Sequence, residues 1–293
     1  MAKKSYIVAG PTASGKSDFA HELARRVGGT IINADSVQVY KGIENISASP
    51  LAGMRHGACD AGHEIDGVPY KLFSIKDLSE HISVSDYLEM ARAEFDAADV
   101  PIFVGGSGYY IRALVRGLSP IPNVSPENRA RAREMVAESP DKAREIAKCK
   151  FRDPQRTARA LEVFFETGRP LFEWQRLPQL GALHPAPVKV LIMPPNHVLG
   201  ERIRNRLKIM LDGGGMDEVR IGMNYPDRAI GIDEVGKYLR GEIGLDAALE
   251  NWAARTRQYA KRQRTWFRHQ FDADIVIPRV PANNDLEAVL IYN

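Results

Sequence analysis

Cysteine is nearly missing from this 293-residue chain, which has only Cys59 and Cys149. Two thiols make no disulfide framework and are too few for a cysteine-built zinc site, so a reducing cytoplasm is the expected compartment. No apolar run approaches the roughly 18 residues that span a bilayer, so no membrane partner is expected. Met1-Ala-Lys-Lys-Ser-Tyr-Ile-Val passes from two lysines straight into a short strand-like run. It lacks the apolar stretch and small-residue cleavage site of a secretory leader. Repeats and low-complexity segments are absent, and Gly213-Gly-Gly215 is too short to act as a linker domain. Charge of one sign is scarce too: 40 Lys and Arg against 37 Asp and Glu leave a net +3. This excludes a histone-like tail and a strongly acidic chain. It does not exclude nucleic acid, which needs a patch rather than a total.

The residues present read as α/β. Ser5-Tyr-Ile-Val-Ala9 is an apolar run ending in Gly10, and Asp18 to Val27 follows with helical spacing at Phe19, Ala20, Leu23, Ala24 and Val27. Gly28-Gly29 stops that helix and Thr30-Ile-Ile-Asn-Ala34 reads as a second buried strand. Strand, glycine-rich loop, helix, strand is the opening of a parallel sheet. Val100–Val104, Val188–Met193 and Asp274–Ile277 are further strand candidates. Between about Ser125 and Trp174 the β-branched runs disappear and Ala, Arg, Glu and Lys dominate. Breaks at Ser139-Pro140, Asp153-Pro154 and Gly168–Pro170 divide the segment into about three helices. The spacing predicts an α/β core over 1–115 and 186–293, interrupted by an all-helical insertion over 116–185, with a last large helix from about Leu245 to Phe271.

Gly10-Pro11-Thr12-Ala13-Ser14-Gly15-Lys16-Ser17 fits G-x-x-x-x-G-K-[ST] at every fixed position, between a predicted strand and a predicted helix. Glycines let backbone N–H groups wrap a phosphate, and the helix N-terminus adds a favourable dipole. Lys16 supplies a point charge to the terminal phosphates, and the Ser17 hydroxyl is the usual Mg²⁺ contact. The fold expected is therefore a P-loop NTPase-like parallel sheet. Most such proteins place a metal-binding Asp after a later strand, but Val100–Val104 runs into Gly105-Gly-Ser-Gly108 without a carboxylate. The acid sits at Asp35, directly after the second strand, where it is either poised over a molecule held by the loop or a helix N-cap. That arrangement suits group transfer on a phosphorylated small molecule better than mechanical ATP hydrolysis.

With Asp35-Ser36-Val37-Gln38-Val-Tyr40, Gly105-Gly-Ser107-Gly-Tyr-Tyr110, Arg159-Ala-Leu-Glu-Val163 and Thr256-Arg-Gln-Tyr-Ala-Lys-Arg-Gln263 in order, the chain resembles the tRNA dimethylallyltransferases over roughly residues 7–270. The resemblance implies transfer of a dimethylallyl group from its diphosphate to N6 of adenosine 37, in tRNAs reading codons that start with U. Residues 10–17 would then hold the pyrophosphate leaving group with Mg²⁺. Asp35 would be the general base, Lys16 would stabilise the departing charge, and Ser107 would be the hydroxyl where amine and allylic carbon meet. Asp35, Ser36, Val37, Gln38, Gln155, Arg156 and Arg159 would contact the tRNA anticodon stem-loop, with Gln38 reading the adenine edge. A monomer is expected. The sequence departs from the family at Val37 (Arg), Tyr70-Lys71 (His-His), Ser49 (Lys) and Asp233 (Lys).

Trp252 to Gln270 has six Lys or Arg (255, 257, 261, 262, 264, 268) and no acid. Helical spacing puts Trp252, Tyr259 and Trp266 on one stripe, expected against the core. It puts Arg257, Lys261, Arg264 and Arg268 on the opposite face, which suits a phosphate backbone. The insertion is also basic, with 12 Lys or Arg against nine acids between Ile121 and Arg176. Arg202, Arg204 and Arg206 read as a solvated helix face from which one side chain could clamp the diphosphate. Competing readings are an adenylate dimethylallyltransferase on free AMP or ATP, a P-loop small-molecule kinase, and an RNA-binding module with a structural phosphate loop.

Overall fold

Four residues buried on both sides make β1 (Tyr6–Ala9), the strand that feeds the phosphate loop. A computed structural model describes residues 3–54 and 63–292, so Cys59 lies outside the described residues. The order continues with α1 (Lys16–Val27), β2 (Thr30–Asn33), β3 (His63–Ile65), β4 (Val68–Lys71), α2 (Val84–Ala97), β5 (Pro101–Gly105) and α3 (Gly108–Arg116). A helical segment follows with α4 (Pro126–Glu138), α5 (Pro140–Ile146), α6 (Pro154–Thr167) and α7 (Leu171–Gln175). The chain then returns through β6 (Val188–Ile192), α8 (Asn196–Met210), a π-helical turn at Leu211–Gly215, α9 (Met216–Gly222), α10 (Ile232–Leu239), α11 (Leu245–Gln270), β7 (Ile275–Ile277) and α12 (Asn283–Ile291).

Among the described residues seven strands form one sheet in the order β3-β4-β2-β5-β1-β6-β7. Every neighbouring pair is parallel except the β3–β4 hairpin. Both faces of the central strands are covered, so they read as continuous apolar runs rather than alternating ones. Register aligns Ala9 with Gly105 and Asn33 with Val104. The carboxyl ends of β1, β2 and β5 therefore stand side by side, and the loops leaving them share one edge of the sheet. Gly105 makes that possible: a Cβ there would collide with the backbone carbonyl of Ala34. Gly105→Ala is expected to cost about 3 kcal/mol or more, because the obstacle is backbone rather than a movable side chain; urea unfolding measures it.

The chain divides into two compact units, residues 1–115 with 183–293, and residues 116–182. In the second, Ala132, Val136, Ala143, Ala160, Leu161 and Val163 supply a small core of its own. Ser125 and Asp153 cap α4 and α6 with their side chains, each followed by proline in the first turn. Sequence spacing counts about three helices here, whereas the structure has four. Gly168 ends α6 in the left-handed conformation and Pro170 restarts the chain as the five-residue α7, too short to show periodicity.

Candidate functional site

The phosphate loop joins β1 to α1, with Gly15 at φ 90° as the N-cap of α1, a conformation that costs a side chain dearly. Not every amide in it is free for a ligand. Ser14 N donates to Pro11 O at 3.3 Å, and Thr12 N donates to Gln263 Oε1 at 2.8 Å. Gln263, only 6 % exposed on α11, also donates from Nε2 to Gly106 O at 2.9 Å. One buried amide side chain thus ties the phosphate loop to the loop after β5.

The Lys16 ammonium is largely withdrawn from solvent. Burial, and then the nearby Arg206, lower its pKa from 10.5 to about 8, although Asp35 and Asp18 pull the other way. Arg202 and Arg206, one turn apart on α8, reach into the same cleft. Arg202 Nε donates to Ala13 O at 2.8 Å and Arg206 Nη2 to Ala48 O at 3.1 Å. Their charges gather where an anion would sit. Arg204, between them in sequence, is exposed.

Asp35 is held by its own neighbours. Buried Asn33, the last residue of β2, accepts from Asp35 N at 2.8 Å and donates to Asp35 O at 3.0 Å. Asp35 Oδ1 accepts from Val37 N at 2.9 Å, an Asx turn and not the helix N-cap that the sequence left open. Ser36 N donates to Ser107 Oγ at 2.8 Å, and Ser107 Oγ donates to Ser36 Oγ at 3.1 Å.

Two cavities meet at this point. A cleft of about 780 Å³ runs along the phosphate loop and is lined by Lys16, Ser17, Asp35 and Arg206, among others. A chamber of about 310 Å³ adjoins it, walled by Ile203, Leu207, Trp252 and Tyr259 on its apolar side. Thr12, Asp35, Ser47, Ala48 and Arg206 line both. The arrangement sets a polyanion cradle against an apolar, aromatic compartment, with a carboxylate at the junction. Ser47 and Ala48 belong to a loop pinned from three sides: Gln38 Nε2 donates to both carbonyls, Arg206 holds Ala48, and Glu218 of α9 accepts from the amides of Asn45 and Ile46.

Comparison with known proteins decides the family. The model for IPP transferase matches residues 38–270, and that for isopentenyl transferase matches residues 3–56. The chain belongs to the IPP transferase family. It is 39% identical to the tRNA dimethylallyltransferase of Zymomonas mobilis over 284 residues, covering 91% of this chain and 88% of that one. With the tRNA dimethylallyltransferase of Acidiphilium cryptum it shares 40% over 290 residues, covering 93% and 86%. Among solved structures it is similar to the tRNA isopentenylpyrophosphate transferase of Bacillus halodurans, with TM-score 0.64 and 28% identity over 99% of this chain and 95% of that one. It is also similar to a eukaryotic dimethylallyltransferase acting on tRNA, with TM-score 0.68 and 25% identity over 90% and 70%.

For a member of the IPP transferase family, the structure brings residues 10–17, Asp35, Ser36, Ser107 and Gln38 to one edge of the sheet. It alters the expected part of Gln38, whose amide nitrogen is spent on the carbonyls of Ser47 and Ala48. That leaves its oxygen alone to meet an adenine, short of the donor–acceptor pair a bidentate contact needs. Gln155, Arg156 and Arg159 stand exposed at the start of α6 in the helical unit, with Arg159 paired to Glu162 at 3.2 Å. The basic face of α11 is smaller than its sequence implies. Arg264 is 8 % exposed and donates to Pro194 O, so it packs inward, whereas Lys261 and Arg268 on the same face stay exposed. Arg255 pairs with Glu234, and Arg257 with Glu250 at 2.8 Å. Asp233, where the family has lysine, is met by Lys237 at 2.9 Å. Tyr70, where the family has histidine, shares a 2.8 Å hydrogen bond with His21 Nδ1, and burial raises its pKa to about 12.

The donor set fits a magnesium ion that takes most of its oxygens from substrate and water. Among the described residues no group of three or more His, Cys, Asp or Glu could hold a metal alone, whereas Ser17, Asp18 and Asp35 line the phosphate cleft. Asn33, Arg206 and Gln263 were not singled out individually by sequence reasoning. Of these, Arg206 had its one-turn spacing from Arg202, and Gln263 closed the Thr256–Gln263 motif.

Proposed function

We propose that the protein transfers a dimethylallyl group from dimethylallyl diphosphate to N6 of adenosine 37 in tRNAs reading codons that start with U, releasing pyrophosphate. The observation that carries this is the junction of an anion cradle with an apolar chamber at Asp35. Dimethylallyl diphosphate has both characters in one small molecule: its diphosphate suits Lys16, Arg206 and residues 10–17, and its five-carbon tail suits the chamber. The acceptor amine is a weak nucleophile because its lone pair is shared with the adenine ring. It attacks C1 as the C1–O bond breaks, the electron pair leaves with pyrophosphate, and the N6 proton passes to the Asp35 carboxylate. Lys16 and loop amides stabilise the departing charge. Mg²⁺, held by Ser17 and the diphosphate, would neutralise the leaving group further. Apolar walls exclude water that would otherwise capture the allylic carbon.

Adenosine 37 is stacked in a free anticodon loop, so it must be extruded to reach N6. Gln155, Arg156 and Arg159 of the helical unit are proposed to grip the anticodon stem-loop, with Lys261 and Arg268 of α11 adding phosphate contacts. No helix among the described residues is long and apolar enough to cross a membrane; a monomer acting on tRNA in the cytoplasm is proposed. The test is direct. The protein is incubated with dimethylallyl diphosphate, Mg²⁺ and unmodified tRNA carrying a run of adenines beside the anticodon, and the digested nucleosides are weighed. A dimethylallyl increment on adenosine is expected. Label on free AMP, or phosphate moved from ATP, would overturn the proposal.

A further inference from the structure

Gln263 is buried on α11, within the acid-free stretch whose charges suggest RNA contact. It lines neither cavity of the site. Its hydrogen bonds nonetheless end on the two loops that carry the reacting partners. Oε1 accepts from Thr12 N at 2.8 Å, and Nε2 donates to Gly106 O at 2.9 Å. Thr12 belongs to the phosphate loop and lines both cavities where they meet. Gly106 precedes Ser107, whose hydroxyl accepts from Ser36 N at 2.8 Å, next to Asp35 in the chain.

A second residue of α11 takes part. Trp266 lies one turn beyond Gln263 on the same face, and its ring packs on Gly108 at the start of α3. The helix therefore holds Ser107 from both sides, through Gly106 and through Gly108. Contact at Gly106 is so close that a Cβ there would collide with Gln263 Nε2 and come within 3.1 Å of Gly10 O. A carboxamide carries its acceptor and its donors on one rigid group. The separation of Thr12 N from Gly106 O is thus set by a single side chain that has no slack.

We infer that Gln263 is a positioning residue for the transfer: by tying Thr12 to Gly106 it sets the register of the donor's phosphate loop against the acceptor's loop after β5, and with it the approach of the amine to C1. The inference rests on the proposed transfer to an adenine amine and adds the group that aligns the two substrates. The amide touches neither of them, and no proton passes through it. Its weight is that of alignment, where a displacement of about 1 Å costs on the order of 10²-fold. When the register is lost, the C1–O bond still breaks, because Lys16 and the loop amides remain to stabilise pyrophosphate. Water then supplies the oxygen that bonds to C1 and releases its proton to solvent. Dimethylallyl alcohol forms in place of the modified adenosine.

Gln263→Met keeps a side chain of similar length and removes both hydrogen bonds. With dimethylallyl diphosphate, Mg²⁺ and unmodified tRNA, kcat for adenosine modification is expected to fall on the order of 10- to 100-fold. KM for dimethylallyl diphosphate stays near the wild-type value. The decisive reading is the pyrophosphate released per adenosine modified. The two are equal in the wild type, and pyrophosphate is expected to exceed modified adenosine in the variant, with dimethylallyl alcohol as the difference. Misfolding does not produce this, because only molecules that turn over enter the ratio. Gly106→Ala displaces the Gln263 amide while leaving that residue intact, and should raise the ratio likewise; it carries the test if Gln263→Met is insoluble. Gln263→Met at the wild-type rate would overturn the inference. So would a loss confined to KM, or a lowered kcat with the ratio unchanged. If the wild-type protein forms no dimethylallyl adenosine, the proposed function fails first, and that control separates the two failures.

Discussion

Replacing Asp35 by asparagine is expected to lower transfer by about 10²- to 10⁴-fold while tRNA affinity is retained. Asparagine is the informative choice because the structure lets it keep the local geometry. Oδ1 of Asp35 accepts from Val37 N at 2.9 Å, and the backbone around it is held by Asn33. An asparagine carbonyl makes the same Asx turn, so the loop after β2 keeps its path. What asparagine lacks is the capacity to take the N6 proton. Turnover that persists unchanged in single-turnover assays would remove Asp35 as the base. A parallel loss of tRNA binding would assign it to RNA contact instead.

Lys16→Met should abolish function and stabilise the fold at once. Removing the cation from the diphosphate cradle is expected to lower kcat/KM about 10³-fold. Stability moves oppositely because the folded-state pKa of Lys16 is about 8, against 10.5 for the free side chain, with burial as the main cause. Between these values the unfolded chain binds more protons than the folded one, so stability rises with pH through that window. The cost of burying the charge is fully present below about pH 8. Methionine removes it, and a gain on the order of 2 kcal/mol at pH 7 is expected, fading toward pH 10.5. Urea unfolding of both proteins at neutral and alkaline pH measures the difference. The same linkage acts on binding. A bound diphosphate raises the Lys16 pKa again, so affinity should be steady below pH 8 and weaken by up to about tenfold per pH unit above it. Titration calorimetry with pyrophosphate checks the slope, and a pH-independent affinity would show that Lys16 is not a contact.

These two side chains share a property that bears on reading the sequence. Both sit at fixed offsets from a strand end: Lys16 closes the loop after β1, and Asp35 lies two residues past the end of β2. Once the strands are recognised as parallel neighbours, their ends must converge, and the site is half assembled on paper. Gln263 is the opposite case. It lies 251 residues from Thr12, to which it is bonded, and in a run of Lys, Arg and Gln it looks like one more polar helix residue. Arg264 misleads in the same way, appearing as a member of a solvated basic face although its guanidinium is buried against Pro194. The β3–β4 hairpin, with Asp66 and Gly67 both at positive φ, escaped because strands of three and four residues give too little alternation to register.

The sequence by itself determined the chemistry on offer: a phosphate loop, a carboxylate after the second strand, a Gly-Gly-Ser-Gly loop, a helical insertion and an acid-free helix end. These are local patterns, written in spacings of two to four residues and in glycines that the backbone requires. Only the tertiary structure decided what each polar group is free to do. A hydrogen-bonding side chain has a fixed number of donors and acceptors, and neighbours from anywhere in the chain can fill them. Gln38 has spent its amide hydrogens on a loop, Ser107 has spent its hydroxyl on Ser36, and Arg255 its charge on Glu234. Asp35 keeps its second oxygen, and with it the capacity to accept a proton, because Asn33 and Val37 meet its backbone and its first oxygen.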